Sequence, residues 1–185
     1  MTRTIAVWRV DHPQLVGTEL FDLQEQGSGV VMTGWVVAAF DGAPCAVSYE
    51  VTADSQWITR RAVVTMSSES GRTVEIEHDG AGHWSVDGGE RLALSACRDV
   101  DLGISPCTNT LPIRRLGLEV GELAHLDAVW VRFPEMKVEV LTQTYERLGD
   151  RMYRYTSPSF QRDIEVDDAG VVVRYGDDLW QAIEL

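Results

Sequence analysis

The sequence predicts an antiparallel all-β protein, and three observations carry that prediction. Its apolar residues recur with a period of two over many short stretches, the spacing that turns one side of a strand to a core and the other to solvent. Asp-Gly and related turn signals punctuate those stretches at short intervals. Helix signals are scarce: one segment alone joins a capping triplet to a proline in a first turn.

Ile5–Val10 (IAVWRV) opens the series of strands. Val30–Phe40 (VVMTGWVVAAF), Ala46–Thr52 (AVSYEVT) and Trp57–Thr65 (WITRRAVVT) follow, all dense in β-branched and aromatic residues. The turn Asp41-Gly42-Ala43-Pro44 divides the second from the third, and Asp79-Gly80-Ala81-Gly82 and Asp87-Gly88-Gly89 mark two more. Thr108-Asn109-Thr110 ahead of Leu111-Pro112 reads as the cap of a short helical turn through Ile113–Leu116, kept brief by Gly117 and Gly121. Ala128–Phe133 (AVWVRF) and Val138–Tyr145 (VEVLTQTY) are strands again, and Asp168-Ala169-Gly170 is a last turn. A faint repeat relates Arg72–Gly88 (RTVEIEHDGAGHWSVDG) to Arg162–Gly176 (RDIEVDDAGVVVRYG), each preceded by an Arg-containing, aromatic-led strand. It predicts a single domain, 1–185, of two similar β units, roughly 1–95 and 111–185, joined by the polar segment 97–110.

The chain's 185 residues suffice for one sizeable core. Its net charge of −13 argues against nucleic acid, whose affinity for proteins comes mostly from Lys and Arg on phosphates, and against electrostatic docking on anionic membranes. The start, MTRTIAVWRVDHPQL, lacks the apolar run of an export signal, and no apolar stretch reaches transmembrane length, so a cytoplasmic location is expected. Three cysteines, Cys45, Cys97 and Cys107, fit free thiols in a reducing compartment; a Cys97–Cys107 bridge is the one pairing considered.

The densest chemistry lies in Cys97–Leu116, CRDVDLGISPCTNTLPIRRL. Buried, so polar a segment must pair its groups internally; open, it lines a site. Asp99 and Asp101 share a strand face about 7 Å apart, a separation that glycosidase carboxylates also show. Arg114 and Arg115 suit a phosphate, sulfate or sugar, or else an ion pair, and their adjacency lets at most one turn inward to an aspartate. Asn109 either grips a polar headgroup or caps the helix. Of the six tryptophans most belong to the core, with Trp57 and Trp84, set among polar and glycine residues, the best pocket candidates. His78 and His83 flank one turn that would bring them close, but neither they nor the cysteines show a metal-ligand spacing. No cofactor fingerprint, phosphate-binding glycine loop or nucleophile elbow is present.

The motif Cys97-Arg-Asp-Val-Asp-Leu with Ser-Pro-Cys-Thr-Asn-Thr-Leu-Pro-Ile-Arg-Arg-Leu116 resembles the putative glycolipid-binding family, a bacterial family long treated as a domain of unknown function. Gly34-Trp35-Val36-Val37, Tyr49-Glu50-Val51, Trp57-Ile-Thr-Arg-Arg61, Gly82-His-Trp84-Ser-Val-Asp87-Gly88, Gln143-Thr-Tyr145-Glu and Tyr153-Arg-Tyr155 agree in order and spacing. The chain departs at Cys107, where similar sequences place a bulky apolar residue. The resemblance implies a spiral β-roll of two similar units and non-catalytic binding of a glycolipid or other amphipathic ligand. Acyl chains would occupy an apolar trough, Asp99, Asp101, Asn109, Arg114 and Arg115 would meet the polar head, and Trp57 and Trp84 would line the pocket. Two alternatives stand beside it: a hydrolase-type enzyme acting on a glycan or lipid headgroup through Asp99 or Asp101, and a protein–protein interaction module.

Overall fold

Alternation in the sequence becomes alternation of burial in the computed structural model, which describes residues 2–67, 71–177 and 179–183. The first half is a meander of long strands: β1 (Thr2–His12), β2 (Leu15–Gln26), β3 (Gly29–Phe40), β4 (Ala43–Asp54), β5 (Thr59–Ser67), β6 (Arg72–His78), β7 (Trp84–Val86) and β8 (Gly89–Glu90). β9 (Asp99–Leu102) leads through a 3-10 turn at Cys107–Asn109 into the helix α1 (Thr110–Leu116). A second meander follows: β10 (Leu123–Arg132), β11 (Lys137–Arg147), β12 (Met152–Ser157), β13 (Phe160–Val166), β14 (Val172–Tyr175) and β15 (Trp180–Ile183).

The fifteen strands of the described residues belong to one sheet, in the order β8-β7-β6-β5-β4-β3-β2-β1-β15-β14-β13-β12-β11-β10-β9. The two meanders meet where β1 pairs with β15, Val7 opposite Ile183. Every pairing is antiparallel except β9 with β10, whose parallel register needs the crossover that α1 occupies. The sheet curls without closing into a barrel, and β9 reaches back to β5. The Thr59 amide donates to the Arg98 carbonyl at 3.0 Å, and the Val100 amide donates to Thr59 Oγ1 at 3.1 Å.

The turn chemistry works as read. Asp41 and Gly42 carry φ of 46° and 80°, and Asp87 and Gly88 carry 51° and 76°. Both pairs thus sit in the left-handed region that a two-residue hairpin turn with the twist of its strands requires. The sequence reading missed β2, whose LVGTELFDLQEQ is half polar; it is recruited by full-length pairing with β1 and β3. It also placed Trp57 in a strand, whereas β5 starts at Thr59 and Trp57 lies in a loop with φ of 63°.

The concave face holds the core. Trp8 stacks on Phe21 with centroids 4.8 Å apart, and its indole N–H donates to the Val172 carbonyl at 2.7 Å, tying the two meanders together. Burying a side chain of this size contributes roughly 1.5–3 kcal/mol, so a few such anchors dominate the stability. On the convex face one cross-strand row, Ile183–Val7–Leu20–Trp35, stays apolar, and its Trp35 is 52% exposed.

Candidate functional site

The polar segment divides its groups between a clasp and a cavity wall. Asp99 in β9 is fully buried, and Arg115 from the last turn of α1 grips it with two bonds, Nε to Oδ1 at 3.0 Å and Nη2 to Oδ2 at 2.5 Å. Burial pushes the Asp99 carboxyl upward and the guanidinium fork opposes that shift. Arg114 turns elsewhere, as adjacent helical residues must: Nη1 donates to the Ala169 carbonyl at 2.7 Å and Nη2 to Glu25 Oε2 at 3.2 Å. Its guanidinium lies over the Trp57 ring, 4.4 Å from the centroid.

The helix forms where expected, with Pro112 in its first turn, but the capping expectation is corrected. Asn109 adopts helical backbone angles and makes no side-chain cap; the preceding 3-10 turn runs straight into α1 and satisfies the first amides. The Asn109 amide instead donates to the Pro106 carbonyl at 2.9 Å, and its Oδ1 accepts from the Tyr145 hydroxyl at 2.8 Å. Thr108 Oγ1 accepts from the Leu102 amide at 3.1 Å.

Where β9, the turn after it and the ends of both meanders converge lies a cavity of about 500 Å³. Its walls are aromatic and aliphatic, with Trp130, Phe160, Tyr175 and Trp180 beside Leu141 and Phe40, while Asp101, Asn109, His12 and Arg162 supply polar groups. Phe160 and Tyr175 stack with centroids 6.0 Å apart, and the Arg162 guanidinium covers the Phe160 ring at 4.8 Å. Asp101 hydrogen-bonds the Gln143 amide, but burial prevails and its carboxyl is pushed up to about 6.

The sequence-predicted residues therefore fall in three places. Asp101 and Asn109 line the cavity. Trp57, Arg114 and Arg115 border a separate hollow that shares no lining residue with it. Trp84 lies in the core, stacked on His78 with centroids 4.3 Å apart, its indole donating to the Cys97 carbonyl at 3.3 Å. His78 and His83 do not converge: the first is buried on the Thr59 carbonyl, the second is exposed and bonded to Asp79. Asp99 and Asp101 do not form an acid pair over one cavity, because Arg115 occupies both oxygens of Asp99. The cysteines are free, and burial raises Cys97 to about 12. Sequence reasoning missed the cavity's aromatic wall; the available signal was the alternation of the strands that carry Trp130, Tyr155 and Tyr175, all of which line it.

It also missed Glu19, in the middle of β2. Its carboxyl is 1% exposed; Oε1 accepts from the Tyr49 hydroxyl and from Ser105 Oγ, the latter at 2.7 Å, while Oε2 meets no partner among the described residues. Burial pushes it up to about 8, so it is a neutral acid at pH 7.

The sequence matches the model of the family described as Putative glycolipid-binding over residues 5–182. No curated protein matches the chain. Among solved structures it is similar to a DUF1089 family protein from Pseudomonas aeruginosa, at 32% identity and a TM-score of 0.75 over 86% of this chain and 90% of that one. It is also similar to a β-barrel-like protein of the domain of unknown function DUF1849 from Brucella abortus, at 11% identity and a TM-score of 0.54 over 97% of this chain and 93% of the other. That second likeness is one of fold alone.

Proposed function

This chain belongs to the putative glycolipid-binding family, and we propose that its aromatic cavity holds a glycolipid or related amphipathic ligand without transforming it. The observation that carries the reading is the cavity's division of labour. About 500 Å³ of space falls within the range of about 300–1,000 Å³ usual for ligand pockets, with apolar walls and a few convergent polar groups. Acyl methylenes against Leu141, Phe40 and Trp180 would each contribute about 0.8 kcal/mol. Six of them already offset a substantial part of the cost of association. Asp101, Asn109 and Arg162 would meet sugar hydroxyls, with Trp130 and Tyr175 as platforms for a ring's apolar face. The chain acts in this reading as one domain, its two β units closed over the ligand by the segment 97–110. Among the described residues no helix is long and apolar enough to cross a membrane.

Native mass spectrometry of freshly purified protein, followed by lipid extraction, tests it. A stoichiometric adduct that Leu141→Arg abolishes is the expected result. A bare mass, unchanged after incubation with a lipid extract, refutes it.

A second reading, an interaction module, is favoured by the exposed row Ile183–Val7–Leu20–Trp35 on the convex face. Its check is the solution mass of the protein against concentration, with Trp35→Glu as the disrupting variant.

A further inference from the structure

The hollow beside α1 has a volume of about 470 Å³, and three arginines, Arg98, Arg114 and Arg115, converge on it. Among the described residues no carboxylate lines it, on a protein whose net charge is −13. Two of the three cations are already committed. Arg115 spends Nε and Nη2 on Asp99, and Arg114 spends its two terminal nitrogens on Ala169 and Glu25. Arg98 is different: it is exposed, makes no ion pair among the described residues, and its guanidinium has one hydrogen bond there, to the carbonyl of Cys97 at 3.2 Å. Three guanidiniums less two paired carboxylates leave one uncompensated positive charge, with Arg98 and the unspent Nη1 of Arg115 as its donors.

The floor is held in a costly conformation. Trp57 takes φ of 63°, a region that bulky residues occupy only where their surroundings impose it. Asp54 imposes it. Its Oδ1 accepts from the amides of Gln56 at 2.8 Å and Ile58 at 3.1 Å, and its carbonyl accepts from the Trp57 amide at 2.9 Å. The result seats the indole beneath Arg114 and leaves the Gln56 side chain exposed at the rim.

The geometry points to a binding site for a singly charged oxyanion, a phosphodiester or a carboxylate, held by Arg98 and Arg115 Nη1 against the Trp57–Arg114 stack. One net positive charge matches a monoanion and leaves a dianion half neutralised. Guanidinium forks favour such planar or bidentate oxygens. The site stands independently of the cavity, since the two share no lining residue.

The test titrates the full chain with glycerophosphoglycerol and with dihexanoyl phosphatidylglycerol at constant ionic strength, reading the Trp57 indole N–H by NMR, identified with Trp57→Phe. A saturable shift is expected, weakened about tenfold in Arg98→Ala, the worth of one charge-assisted hydrogen bond. Arg91→Ala, an exposed arginine outside the hollow, should titrate as the parent does. Equal affinity for the two probes assigns the site to a free anion. A gain for the acylated probe assigns it to a lipid headgroup; both support the site. No saturable shift with either probe, or unchanged affinity in both Arg98→Ala and Arg98→Gln, overturns it.

Discussion

Glu19 offers the sharpest test of the physical reasoning, because one buried carboxyl should make a large and separable contribution to the pH dependence of the fold. In the unfolded chain this group releases its proton near the ordinary value of 4.5, whereas in the native sheet it keeps it up to about 8. Between those values the folded state binds more protons than the unfolded one, so stability falls as pH rises. The loss runs at about 1.4 kcal/mol per pH unit. It is absent below 4.5, reaches roughly 3 kcal/mol at pH 7 and levels off near 5 kcal/mol above pH 8. Glu19→Gln removes the titration while keeping an oxygen for Tyr49 and Ser105. Its amide places two N–H donors where Oε2 now meets nothing, a constant penalty of about 2 kcal/mol. The variant is therefore less stable than the parent at pH 5 and more stable at pH 8, the two curves crossing near pH 6 by the arithmetic of about 2 kcal/mol over about 1.4 per unit. Urea unfolding of both proteins at pH 5, 6, 7 and 8 measures this, and the difference between the proteins isolates Glu19 from other groups that titrate in the window. A difference that stays flat across that range refutes the buried-acid argument.

Three further outcomes follow from the same contacts. Asp99→Ala strands the Arg115 guanidinium and should cost about 3–5 kcal/mol in urea unfolding, most of it recovered when Arg115→Met is added to Asp99→Leu. Asp101 loses its charge as pH falls through about 6, so affinity for a glycolipid carrying sugar hydroxyls should drop about tenfold from pH 7.5 to 5, measured by calorimetry, and Asp101→Asn should flatten that profile. Gly34 faces Tyr49 across β3 and β4, and an added Cβ would overlap the phenol ring; Gly34→Ala should destabilise by about 1–3 kcal/mol and displace the hydroxyl from Glu19, visible as a lowered unfolding midpoint.

The fold was legible wherever one residue type dictates a local geometry. Asp41-Gly42 and Asp87-Gly88 name their turns because few other pairs tolerate positive φ at two consecutive positions. The alternation in Val30–Phe40 names its strand because every second side chain is buried. β2 was illegible for the opposite reason: Glu19 sits on its buried face, and a carboxyl there contradicts the pattern unless its partners Tyr49 and Ser105, 30 and 86 residues away, are known. The site was half legible. The motif exposed Asp99, Asp101, Asn109 and the arginine pair, but a list of polar residues carries no information about which of them already have partners. Trp130, Phe160 and Trp180 came together only through the curl of the sheet, a property of the long-range pairing of β1 with β15.

Asp99 and Asp101 make the distinction between clasp and site concrete. They lie two residues apart on β9, opposite Ala128 and Trp130 of β10, and share one chemistry. Asp99 meets a cation that takes both its oxygens, and such a pair, once buried, contributes through the penalty for breaking it. Asp101, whose one side-chain hydrogen bond among the described residues is with the neutral amide of Gln143, lines the cavity and holds its proton to about 6. A folding clasp gains nothing from a half-satisfied carboxyl, since an apolar residue would pack there at lower cost. In the binding reading proposed above a ligand would supply the donors that offset this cost, which makes Asp101 rather than Asp99 the residue to follow when a ligand is sought.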